Sequence, residues 1–182
     1  MTFIPRSAWM GHEQFMDWLV MTRRPVRFVE LGVHSGWSFF AACNAVKRAG
    51  LKTHCIGIDT FQGDDHTGAY DEDVFEGVSY IRDHNFADFA ELWRMTFDEA
   101  ANKVAQTSVD LLHIDGRHDY EDVKHDFETW EPKLFPGATV LFHDICVPEF
   151  GVRRFWDELR VDYPHFEFEH AYGLGVLTYR RR

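Results

Sequence analysis

The chain has 182 residues, 45% apolar and 27% charged, which is enough to bury a core within one domain of ordinary size. With 19 Lys and Arg against 30 Asp and Glu the net charge is -11, which excludes a phosphate-neutralising nucleic-acid binder. The start of the chain lacks the basic, apolar pattern of a signal peptide, and no apolar run approaches the roughly 20 residues of a membrane span.

Residues 7–22 read as a helical segment carrying Trp9, His12 and Trp18, which either close over a site or simply pack. A β-branched-rich strand follows at 26–31 and ends on Gly32, and residues 36–49 repeat Trp37, Phe40, Ala41 and Val46 at helical spacing before Gly50. A second strand at 53–58 closes on Asp59. Between Asp64 and Asp88 stand eight carboxylates and one base, Arg82, so residues 63–77 are expected to form a solvated surface or a mobile lid, ahead of a helix at 79–89.

A third strand is expected at 91–95 with a helix at 97–106, and a fourth strand at 109–114 delivers Asp115 and Gly116. Residues 118–134 are amphipathic, with Pro136 and Gly137 as the stop, and the fifth strand, 139–143, ends on Asp144. A helix at 152–161 and a closing strand pair, 166–171 and 176–179, complete an α/β sandwich with a mostly parallel sheet. In such sheets ligands bind beyond the carboxyl ends of the strands.

Those ends carry the chemistry. Gly32 and Gly36 punctuate a strand-to-helix turn, but four residues apart with His34 between them, unlike the nicotinamide fingerprint. Asp59, 23 residues past Gly36, is placed to accept ribose hydroxyls or to form a turn. His118 follows Asp115 by three residues and suits proton removal, or else a helix cap and a surface histidine. Asp144 and His143 end the neighbouring strand, so Asp115, His143 and Asp144 form a candidate divalent-metal set, with His143 alternatively a substrate contact. His113 alternates into the strand and reads as a packing residue. Cys43, Cys55 and Cys146 lack metal or disulfide spacing and suit a reducing cytoplasm.

In this order the motifs resemble class I S-adenosylmethionine-dependent methyltransferases. The run from Glu30 to Ser38 is similar to the cofactor turn of catechol O-methyltransferase-like enzymes. The stretch from Val109 to Ile145, with Ile114-Asp115-Gly116-Arg117-His118 and His143-Asp144, is more similar to macrolide-sugar O-methyltransferases. The resemblance implies one methyltransferase domain over 1–182 and a Rossmann-like three-layer α/β sandwich with seven strands, the last two antiparallel. It implies S-adenosylmethionine held by Glu30, Gly32, His34, Gly36, Ser38, Asp59, Thr96, Phe97 and Asp115. Catalysis falls to His118 as base with Asp115 and Asp144, assisted by Mg2+ or another divalent metal on Asp115, His143 and Asp144.

His143 stands where the sugar branch has a carboxylate, and Ile145 where the catechol branch has an Asn ligand. The expected activity is O-methylation of a sugar, a glycan precursor or another small hydroxylated metabolite, with no nucleic-acid or membrane partner and with pairing of two chains left open. A non-catalytic cofactor-binding module serving glycan-building proteins is the alternative, and a nicotinamide oxidoreductase ranks third.

Overall fold

The computed structural model describes residues 7–64 and 68–181. Seven strands form one sheet: β1 (Arg27–Leu31), β2 (His54–Asp59), β3 (Ala90–Arg94), β4 (Val109–Ile114), β5 (Leu134–His143), β6 (His165–Phe168) and β7 (Leu174–Thr178). Their order is β3–β2–β1–β4–β5–β7–β6. The first five are mutually parallel, and β7 runs antiparallel between β5 and β6. The seven-stranded, three-layer expectation is met.

Alternation along the strands sorts side chains between two helical layers. Val29 and Leu31 of β1 and Leu112 and Ile114 of β4 pack towards α4 (Phe97–Ala101), α5 (Tyr120–Trp130) and α6 (Val152–Leu159). Phe28 and Leu111 face the opposite layer of α1 (Glu13–Arg23), α2 (Trp37–Arg48) and α3 (Glu72–Asn85). Glu30 and His113 share that second parity, which sets where their side chains go.

Several boundaries differ from the sequence reading. The α3 helix starts at Glu72 because Glu72 and Asp73 lie in its first turn, where carboxylates favour the helix N-terminus, and because Glu72 is held by Arg94 through two bonds of 2.5 and 2.7 Å. Residues 72–77 therefore belong to a helix rather than a lid. Of the rest of that segment, Gly63–Asp64 pairs with Gly68–Ala69, and residues 65–67 lie outside the described residues.

Strand β5 begins five residues early, at Leu134. Leu134 pairs with Val109 and Thr139 with Leu111, so Phe135, Pro136 and Gly137 swing out exposed in an irregularity opposite Asp110. Arg23 fastens it by bonds to the Gly137 carbonyl and the Thr139 hydroxyl. After Trp130 the chain tightens to a 3-10 turn at Glu131–Lys133, where Pro132 removes a donor, and α6 likewise passes into a 3-10 turn at Arg160–Asp162.

One buried carboxyl makes stability depend on pH. Burial, with Asp122 and Asp98 adding to it against His125, pushes Asp126 of α5 up to about 7. An unfolded Asp ionises near 3.9. The contribution of Asp126 is thus complete below about pH 4 and is lost as pH rises through about 7. Asp126→Asn is expected to match the native chain near pH 4 and to exceed it at pH 8 by a few kcal/mol, since each tenfold difference in proton affinity between the folded and unfolded chain is worth about 1.4 kcal/mol. Thermal melts at the two pH values check this, and equal melting at pH 8 would refute it.

Candidate active site

At the carboxyl edge of the parallel strands lies a cavity of about 690 Å³. Each of the five parallel strands delivers a wall. The β1 turn brings Gly32–Ser35, β2 brings Asp59 and Thr60, and β3 leads to Thr96 and Phe97. From β4 come Asp115–His118, and β5 ends on His143 and Asp144.

The turn after β1 is shaped by its neighbours. Gly32 has φ +92°, and a Cβ there would stand 2.0 Å from the backbone oxygen of Asp115. Only glycine allows β1 and β4 to leave the sheet side by side at this point. Asp59 holds the next residues: Oδ2 accepts the N–H groups of Val33 and His34 at 2.9 and 2.8 Å, and Oδ1 accepts that of Phe61 at 2.7 Å. It therefore organises the turn as well as facing the cavity. His34, at φ +49°, stacks on Tyr70 at 4.9 Å.

Glu30 and Gly36 do not line the cavity. Glu30 is fully buried, accepts from the Ser38 hydroxyl at 2.9 Å and pairs with His113 Nδ1 at 2.9 Å. Burial pushes its carboxyl up, against the lowering contributed by His113. Gly36 caps α2 at φ +83°, and Ser38, in the first turn, reaches the cavity. Thr96 opens α4 with a reciprocal cap to Glu99. The Phe97 ring lies against Gly116, whose added Cβ would stand 2.6 Å from it.

At the other end two carboxylates and two imidazoles meet. His118 Nε2 lies 3.0 Å from Asp144 Oδ2. His143 Nδ1 lies 3.1 Å from the same oxygen and 3.3 Å from Asp115 Oδ1, while its Nε2 faces the Ala171 carbonyl at 3.1 Å. Burial would lower His143, but Asp115 and Asp144 outweigh it and push it up to about 10. Burial would likewise raise both acids, yet the imidazoles beside them hold both below the usual carboxylate range. His118 is held from two sides: its ring stacks on Phe150 at 4.2 Å, and its carbonyl accepts the Gly151 N–H at 2.8 Å. Gly151 is required there, since a Cβ would fall 2.1 Å from the Tyr120 nitrogen.

Asp115, His118 and Asp144 each offer a donor atom, all within 4.8 Å of one another. His143 is not a member of this set, contrary to the sequence reading: each of its ring nitrogens faces an acceptor, leaving no lone pair for a metal. With His143 charged, the two carboxylates and it sum to one negative charge. Hard divalent ions such as Mg2+ are held through carboxylates and waters, and a cation beside both acids opposes them. The residues present therefore fit a divalent ion poorly.

The sequence reading missed much of the cavity rim. Ser7 and Ala8 line it from the N-terminal segment, where Trp9 and His12 are buried, while Trp18 on the outer face of α1 is exposed. Glu13 latches this segment, accepting from the Gly11 N–H at 2.8 Å and from Trp37 Nε1 at 2.7 Å. Trp37, Tyr70 and Arg117 also line the cavity. The aromatic density of 7–22 was the available signal, and it pointed to covering without naming which residues face inward.

Residues 29–145 match the model of a family described as a methyltransferase domain. The chain belongs to that family. It is 48% identical over 177 residues to an uncharacterized protein, y4gI, of Sinorhizobium fredii (strain NBRC 101917 / NGR234), covering 96% of this chain but 19% of that one. The chain thus spans about a fifth of the length of this curated relative.

Among solved structures, Rv0187 from MTB, in cofactor-bound form, is 15% identical with a TM-score of 0.75, covering 100% of this chain and 85% of that one. The O-methyltransferase TomG from Streptomyces achromogenes, in complex with SAM, is 15% identical with a TM-score of 0.71, covering 98% and 82%. An O-methyltransferase from Bacillus cereus in complex with SAH is 15% identical with a TM-score of 0.69, covering 97% and 83%. At these identities the likeness establishes the fold. Among the described residues no helix is long and apolar enough to cross a membrane.

Proposed function

We propose that the chain acts as one methyltransferase domain over residues 1–182, moving the methyl group of S-adenosylmethionine to a hydroxyl of a sugar, a glycan precursor or a small polar metabolite. The observation that carries this is the convergence of five strand ends on one cavity, with a turn-organising carboxylate at one end and a His–Asp pair at the other. Methyl transfer needs both ends: one to hold a nucleoside, the other to take a proton.

At the first end, the 32–35 turn and Ser38 at the start of α2 suit the amino-acid part of the cofactor, since N–H groups at a helix start favour a carboxylate. Asp59 Oδ1, with one backbone donor to the two on Oδ2, suits a ribose hydroxyl. Phe97 offers a ring face for the adenine. S-adenosylmethionine supplies a methyl group on a sulfonium and leaves as a neutral thioether.

At the second end His118 Nε2 lies 3.0 Å from Asp144 Oδ2, and it serves as base once the incoming hydroxyl takes over that contact and the ring's own proton stands on Nδ1, which turns the Nε2 lone pair towards the hydroxyl. Nε2 takes the proton, the hydroxyl oxygen forms its bond to the methyl carbon, and the carbon–sulfur electron pair stays on sulfur. Asp144 steadies the imidazolium so formed. Holding the two reactants in line is the main gain. A small-molecule acceptor and a cytoplasmic location are carried forward from the sequence as parts of this proposal.

Calorimetry with S-adenosylhomocysteine tests the cofactor half. Asp59→Ala is expected to weaken binding by about 10- to 100-fold, the range for lost charge-assisted hydrogen bonds. Unchanged affinity would remove Asp59 from the site. A labelled-methyl assay against hydroxylated sugars, nucleotide sugars and phenols tests the other half. The match to only a fifth of the Sinorhizobium relative suits a second reading, in which the domain is a module of a larger protein; in that reading it binds the cofactor without catalysis and serves glycan-building proteins. Binding without labelled product from any of these acceptors would select it.

A further inference from the structure

We infer that His143 is a fixed imidazolium occupying the role a divalent cation would otherwise play between Asp115 and Asp144, so that this site works without a metal ion. The inference rests on the methyl-transfer reading above and adds to it the source of positive charge beside the acceptor.

The charge follows from geometry. A neutral imidazole has one N–H and one lone pair, so it cannot donate from both nitrogens. His143 Nδ1 faces two carboxylate oxygens at 3.1 and 3.3 Å, and Nε2 faces the Ala171 carbonyl at 3.1 Å. All three partners are acceptors, and a ring that is 3% exposed leaves no room for water to substitute. Both nitrogens must therefore carry protons.

The carbonyl is as fixed as the carboxylates. Ala171, Tyr172 and Gly173 all adopt positive φ, at 48°, 64° and 88°, in the tight turn between β6 and β7. Tyr172 and Gly173 accept the N–H groups of Cys146 and Asp144 at 2.9 and 3.1 Å. The same turn thus anchors Asp144, itself at φ +63°, and aims Ala171 at His143. His12 also meets the Ala171 carbonyl, at 3.3 Å, but burial brings it down to about 4, so it donates as a neutral ring and adds no second charge.

The consequence at the acceptor is a permanent cation that lowers the pKa of a nearby hydroxyl and offsets the two acids. A loosely held metal would have to compete with it.

Two measurements decide this. Long-range proton–nitrogen NMR at pH 8 is expected to show both ring nitrogens of His143 at imidazolium shifts; one protonated and one bare nitrogen would overturn the proposal. Manganese binding, followed by electron paramagnetic resonance in the presence of S-adenosylhomocysteine, is expected to be weak in the native chain and at least about tenfold tighter in His143→Glu, which places a third acid beside Asp115 and Asp144. Stoichiometric manganese binding by the native chain would overturn the proposal. So would a His143→Glu chain that binds S-adenosylhomocysteine normally yet holds manganese no better. Failure of the native chain to bind S-adenosylhomocysteine would instead count against the methyltransferase reading, while the NMR result would still stand on its own.

Discussion

Gly32→Ala is expected to remove about 4 kcal/mol or more, on the order of the largest single-site losses and a large share of a domain's whole stability. Two effects act together. At φ +92° a side chain is strained, by roughly 1–2 kcal/mol. The larger effect is overlap: the new Cβ would sit 2.0 Å from the Asp115 oxygen, and that oxygen belongs to a strand end held by the Asp115 N–H to Leu31 bond at 2.9 Å. Relief requires β1 and β4 to part where both feed the cavity. Urea denaturation measures the loss directly, and a change below about 1 kcal/mol would show that the turn can reshape. Any residual folded protein should also bind S-adenosylhomocysteine poorly.

His118→Ala should act on turnover and leave the fold in place. Losing a positioned general base slows the chemical step by about 100- to 10,000-fold. Binding of S-adenosylhomocysteine should stay within about twofold, because the contacts expected for the cofactor lie at the opposite end of the cavity. Steady-state kinetics with whichever acceptor takes the labelled methyl group would separate the two effects. Full activity in His118→Ala would move the base elsewhere, and a matching loss of cofactor affinity would make His118 a packing residue.

The strands of the parallel sheet are legible because both of their faces are buried. Val29, Leu31, Ile56, Ile58, Leu112 and Ile114 form short apolar runs, and each run stops at the residue that turns towards the cavity. That is why Asp59, Asp115 and Asp144 can be placed at strand ends from the sequence. The start of β5 is not legible, since Pro136 and Gly137 signal a stop, and only the pairing of Leu134 with Val109 carries the strand past them.

Glu30 is a similar case. Its position after an apolar strand suggests a ligand contact, whereas parity directs it into the α2 layer, to Ser38 and His113. The state of His143 depends on Ala171, 28 positions away in a turn whose backbone no pattern announces.

That turn also imposes an order in time. Ala171 lies downstream of every cavity-lining residue, so during synthesis the five parallel strands emerge before the carbonyl that completes the His143 clamp. Until β7 docks against β5, Asp144 lacks its Gly173 anchor and the reactive edge of the sheet is unfinished. The antiparallel pair is therefore the last part of this edge to be synthesised, and it fixes residues laid down well before it.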